Sequence, residues 1–87
     1  MAYRVEIRPT AQKQLLSLPK EAQLKIASSI DQLKDVPRPP KVKKLAEGDL
    51  WRIRVGHYRV VYAVDDETRL IIVVRVAWRK ENTYRGL

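Results

Sequence analysis

Leu50-Trp51-Arg52-Ile53-Arg54-Val55-Gly56-His57-Tyr58-Arg59-Val60-Val61-Tyr62 carries the reading of the whole chain. Residues 50–55 alternate with the period of two that a half-buried strand needs. Trp51, Ile53 and Val55 fall on one side, Arg52 and Arg54 on the other. Gly56-His57 then reads as a two-residue hairpin turn, with Gly56 supplying a positive φ. The returning strand puts Tyr58, Val60, Tyr62 and Val64 on the apolar side and Arg59 on the polar side. This turn sets the register: Val55 faces Tyr58, Arg54 faces Arg59 and Arg52 faces Val61.

A third run, residues 70–79, follows a turn over residues 65–69. Alternation assigns Leu70, Ile72, Val74, Val76 and Trp78 to the apolar side and Arg75 and Arg79 to the polar side. Pairing Val64 with Leu70 then brings Arg59 opposite Arg75. A row Arg54–Arg59–Arg75 results, with Arg52 and Arg79 nearby on the same face. Five guanidiniums gathered on one face repel each other. A polyanionic partner relieves that repulsion, because each planar guanidinium can donate two parallel hydrogen bonds to phosphate.

The first half has a different period. Tyr3, Val5 and Ile7 alternate with Arg4, Glu6 and Arg8 as a first strand. Pro9-Thr10 opens a helix with Thr10 expected as its N-cap and Ala11, Leu15 and Leu18 as its stripe. Pro19 suits the first turn of a second helix over residues 20–34. That helix carries Ala22, Ile26, Ser29, Ile30 and Leu33 on one face. Val36-Pro37-Arg38-Pro39-Pro40 ends it. Residues 41–49 form a basic connector, with a short turn expected around residues 42–45. The tail, residues 80–87, is too short for another packed element. The order is strand, helical hairpin, then a three-stranded antiparallel meander. This defines an α+β fold, one domain over residues 1–87, with the helices on one sheet face.

The 87 residues include no cysteine, so disulfides and thiolate zinc sites are excluded. One histidine and one methionine leave little for a metal site, and no cofactor is implied. No signal-peptide pattern and no apolar run near the length of a membrane span is present, so a cytoplasmic location is expected. Formal net charge is +8, from 18 Lys+Arg against 10 Asp+Glu. The excess is uneven. Between residues 38 and 59, Arg38, Lys41, Lys43, Lys44, Arg52, Arg54 and Arg59 face only Glu47 and Asp49. Such concentration is the electrostatic footprint of nucleic-acid binding. A membrane surface fits less well, because no basic helix carries large apolar anchors.

Residues 50–62 closely resemble the central motif of the RelE/ParE toxin superfamily. Val76-Ala77-Trp78-Arg79-Lys80-Glu81-Asn82-Thr83-Tyr84-Arg85 resembles that family's C-terminal motif, in which an arginine precedes a tyrosine. Residues 11–33, with Leu18-Pro19-Lys20 between the helices, resemble its helical hairpin. The resemblance covers essentially the whole chain. It implies a RelE-like fold and a toxin of a type II toxin–antitoxin system. RelE-like members are ribosome-dependent endoribonucleases that cut mRNA in the decoding site of the 70S ribosome. ParE-like members share the fold, poison DNA gyrase and lack the nuclease residues. A non-toxic antitoxin-binding module is the third alternative. All three imply a cognate antitoxin, a small acidic protein.

The nuclease chemistry implied by the resemblance needs no metal. The ribose 2′-OH attacks the adjacent phosphorus, and the enzyme must orient the strand, stabilise phosphate charge and move two protons. By position in the motif, Arg52 and Arg54 match the family's two basic residues, Arg59 the arginine of the next strand, Arg79 the one after the last strand, and Tyr84 the tail tyrosine. Arg59 and Arg79 are then expected to clamp the phosphate, with Arg52 and Arg54 holding the backbone and Tyr84 stacking or orienting. Arg75, Lys41, Lys43 and Lys44 are expected phosphate contacts. Arginine cannot serve as the base, so His57 and Glu81 are the base candidates, with Glu47 of similar standing. Other members carry histidine where this chain has Trp78, which reads here as a core or rim aromatic.

Overall fold

The computed structural model describes residues 2–40, 42–45 and 48–78. The elements are β1 (Arg4–Ile7), α1 (Pro9–Leu16), α2 (Lys20–Gln32), β2 (Lys43–Lys44), β3 (Leu50–Val55), β4 (Tyr58–Asp65) and β5 (Leu70–Trp78). The strands form one sheet in the order β1-β5-β4-β3-β2. β1 runs parallel to β5, and the other neighbours are antiparallel. The helical hairpin therefore carries the chain from one edge of the sheet to the other. Its apolar stripes cover one face on the way.

Local chemistry sets the helix ends. Arg8 is extended at the N-cap and Pro9 holds the first helical position, where a missing N–H costs nothing. Thr10 therefore lies inside α1 and does not cap it. α1 stops at Leu16, so Leu18 packs from the connection rather than from the helix. Pro19 is the extended N-cap of α2, one position earlier than a first-turn residue. Gln23 Nε2 donates to Leu18 O at 2.8 Å and Leu16 O at 3.2 Å, which satisfies carbonyls left over at the end of α1.

One core joins both layers. Ala11, Ile26, Ile30 and Leu33 from the helical half meet Ile53, Val60, Tyr62, Ile71, Val73 and Val76 from the sheet. Tyr62 is fully buried, and its hydroxyl donates to Pro37 O at 2.7 Å. That bond ties the proline-rich loop after α2 to the middle of β4.

The first hairpin has the register read from its turn. Val55 pairs with Tyr58, Arg54 with Arg59 and Arg52 with Val61. Gly56 has φ +60°, a left-handed conformation that costs a side-chain-bearing residue about 1–2 kcal/mol.

The second pairing differs from expectation. Asp65, not Val64, faces Leu70, and Arg59 faces Ala77, not Arg75. Tyr62 pairs with Val73 while Val61 pairs with Arg75, so Val74 is an extra residue, a β-bulge. The bulge reverses the alternation along β5. Ile71 and Val73 point into the core before it, and Val76 after it. Leu70 and Ile72 therefore face away from the helices, against the period-two assignment. The physical reason is that Leu70-Ile71-Ile72-Val73-Val74 is apolar throughout, so its pattern cannot report a face.

Two further features shape the edges. The connector expected to hold a turn instead forms β2, with Lys43 opposite Arg52 and Lys44 opposite Trp51. Beyond the end of β1, the Val76 N–H donates to Gln14 Oε1 of α1 at 2.8 Å. A helix side chain thus takes a ladder donor that no strand reaches.

Candidate nucleic-acid interface

Two rungs build the site on the sheet face away from the helices. One rung is Lys43–Arg52–Val61–Arg75, running from β2 to β5. The next is Arg54–Arg59–Ala77. The four described arginines of the expected cluster therefore do share a face. Their arrangement is a staggered patch rather than the single row Arg54–Arg59–Arg75. Val61, only 7 % exposed, forms a floor between Arg52 and Arg75.

The ladder also places the arginines closely. Leu50 O accepts from Leu45 N at 2.9 Å, so Leu50 turns its backbone bonds toward β2. The even positions of β3 are then non-hydrogen-bonded pairs with β4, in which facing Cα atoms approach to about 4.5 Å. Arg54 and Arg59 form such a pair. Arg54 is exposed, while Arg52, Arg59 and Arg75 are half-buried. Arg52 Nε is buried with no hydrogen-bond partner among the described residues.

Among the described residues, no salt bridge joins a carboxylate to Arg52, Arg54 or Arg75. The salt bridges among the described residues are Lys34–Asp31 and Arg38–Asp66. Guanidiniums fixed by a sheet present planar, paired N–H donors of the kind that suit an oxyanion. Below the basic rungs, the same face turns apolar through Leu50, Ala63 and Ile72, which share rungs.

Other expected residues are distributed differently. Lys43 stands beside Arg52 and belongs to the patch. Lys44 lies with Trp51 instead, its Nζ 5.7 Å from the ring centroid. His57 is exposed in the hairpin turn, with its ring nearly parallel to that of Trp78 at 6.4 Å between centroids. Lys41, Glu47, Arg79, Glu81 and Tyr84 lie outside the described residues. A groove of about 860 Å³ borders the patch, running between α2, the proline-rich loop and β3, with Gln32, Pro39, Val42, Lys43 and Arg54 in its walls.

One polar node escaped the sequence reading. Arg38 grips Asp66 with two hydrogen bonds, at 2.9 and 3.3 Å, while Tyr3 Oη donates to the same carboxylate at 2.6 Å. These bonds hold the Asp66 carboxyl below its ordinary range, chiefly through Arg38, and raise the Tyr3 phenol. The Arg38 guanidinium also sits 5.1 Å from the Trp51 ring centroid. Partners 28 and 63 positions apart leave no local signal in a sequence.

A mixed, mostly antiparallel sheet with a basic outer face and a crossing helical hairpin defines the class: a small α+β domain. The profile described as ParE toxin of type II toxin-antitoxin system, parDE, matches residues 5–83. A Methanocaldococcus jannaschii protein named as toxin RelE1 is 34% identical over 90 residues, covering 99% of both chains. The archaeal RelE–RelB complex of Pyrococcus horikoshii contains a chain with 36% identity and a TM-score of 0.82, over 93% of this chain and 99% of that one. The RelBE2 toxin–antitoxin complex of Mycobacterium tuberculosis is similar at 27% identity and a TM-score of 0.81, over 91% of this chain and 100% of its own. The chain belongs to the RelE/ParE superfamily of type II toxin–antitoxin toxins, on its RelE-like branch.

Proposed function

We propose that this toxin is a ribosome-dependent endoribonuclease that cleaves mRNA without a metal. The observation that carries the reading is the Arg54–Arg59 pair beside Arg52, Lys43 and Arg75 on one open sheet face. In the reaction, the 2′-oxygen loses its proton and bonds to the adjacent phosphorus. The P–O5′ bond breaks, a 2′,3′-cyclic phosphate remains, and the departing 5′-oxygen takes up a proton. Arg59, with Arg79, holds the phosphate and offsets the charge that grows on its free oxygens. Arg52 and Arg54 hold the neighbouring backbone, and Tyr84 orients or stacks. His57 and Glu81 are the base candidates within the chain.

The test is primer extension on mRNA after brief expression. Arg59→Ala combined with Arg79→Ala abolishes cleavage and growth arrest while the fold survives. A double variant that still cuts defeats the reading. The matched profile carries the ParE name, which favours gyrase poisoning as a second reading. A supercoiling assay on purified protein separates the two.

The partner in the cell is a cognate antitoxin, a small acidic protein. The support is that the Pyrococcus and Mycobacterium relatives are found in complexes with antitoxins. Charge complementarity to the basic face favours the same partner. Co-purification with the product of an adjacent gene tests it.

A further inference from the structure

We propose that Trp78 is a stacking platform for a messenger base whose phosphate is held on the arginine patch, an inference that rests on the nuclease reading above. Trp78 is 40 % exposed, the one aromatic among the exposed large hydrophobics of the described residues. An exposed indole with no neighbours would rotate freely. This one has two ring neighbours. The Tyr58 and Trp78 rings meet edge to face at 5.2 Å with an interplanar angle of 78°. The His57 ring lies nearly parallel to the indole, 14° between planes. Both partners are set by the backbone, since Tyr58 faces Trp78 across the ladder and His57 precedes it in the tight turn.

Position links this aromatic cluster to the patch. Trp78 occupies the rung next to Arg59–Ala77, about 3.3 Å further along the strand. Arg59 points to the open face, while Trp78 points to the helix side at the end of β5, past the last core residue, Val76. A single nucleotide can engage both by crossing the rim of the sheet. Its phosphate sits on the guanidiniums and its base folds over the hairpin end onto the indole. A basic track joined to an aromatic face is how proteins hold unpaired nucleic acid. The ring is fixed before binding, so little ordering cost is incurred at the moment of stacking.

The test compares the full-length wild-type chain with Trp78→Phe and Trp78→Leu on programmed ribosomes. The messages carry each of the four bases beside the cut. Both substitutions keep apolar bulk against Tyr58, but only phenylalanine keeps a π face. Trp78→Leu lowers kcat/KM by about 5- to 150-fold, chiefly through KM, and flattens the base preference. Trp78→Phe retains most of both. Equal KM and equal base preference in all three proteins overturns the platform while leaving the nuclease reading intact. A wild-type chain that cuts no message overturns the nuclease reading and the platform together.

Discussion

Arg54 and Arg59 face each other across the β3–β4 ladder as a non-hydrogen-bonded pair, the closest side-chain approach an antiparallel sheet offers. Like charges directly opposite each other on a ladder repel. In the proposed function, the same geometry offers paired planar donors to one phosphodiester.

Removing either donor should therefore act on the reaction more than on the fold. Arg59→Ala is expected to lower the cleavage rate about 10²–10³-fold. Arg59→Lys should recover only a minor part, because an ammonium is a point charge and cannot make the bidentate contact. Single-turnover cleavage on programmed ribosomes measures both. Rates within threefold of wild type for Arg59→Ala would contradict the assignment.

Arg75 and Lys43 flank the Arg52–Val61 floor and should act through charge alone. Each charge-to-Gln change is expected to weaken RNA binding uniformly across sequences. It should also reduce the slope of log K against log salt by about 0.7 per lost contact. Titrations across a salt series check this.

Gln14 accepts the Val76 N–H where β1 has already ended. Gln14→Leu strands a partly buried donor and should cost about 1–3 kcal/mol of stability. Urea unfolding reads the loss directly. A change under 0.5 kcal/mol would mean that water takes over the bond.

Burial pushes the Tyr62 phenol up to about 12 from an ordinary value of 10.0, and nearby Arg38 opposes that only in part. The folded value lies above the unfolded one. Stability from the protonated phenol is thus fully present below pH 10 and is lost as pH rises toward 12. Tyr62→Phe should be less stable at neutral pH, through loss of the bond to Pro37 O, but flatter between pH 9.5 and 12. Parallel slopes in that window would exclude the mechanism.

Asp66 gives the opposite sign. Arg38 and Tyr3 hold its carboxyl low, so its contribution is present above the ordinary value of 3.8 and disappears as pH falls below it. Asp66→Asn should remove that acid dependence and loosen the proline-rich loop, seen as faster amide exchange around Arg38. The groups are solvent-exposed, so the effect on global stability should be small.

The helices, the first hairpin and most of the arginine face were legible from local rules. Proline placed two helix starts to within a residue or so, and Gly56-His57 set a register because a two-residue turn admits no slack. Those rules act over a few positions and leave a periodic trace. The route of β5 was not legible. Five consecutive apolar residues satisfy either face, and the bulge at Val74 that resolves them comes from matching a strand to its neighbour and to α1. The same holds for β2, which becomes a strand because β3 offers it an edge.

Charge, alternation and turn chemistry thus dictated a sheet with helices over one face and a basic face opposite, since each of those preferences is satisfied within a short stretch of backbone. The placing of Arg75 in the rung of Arg52 rather than that of Arg59, and the meeting of Arg38 with Asp66 or of Trp78 with His57, arose only on folding. Contacts between remote segments obey packing and ladder geometry, which no short window of residues records.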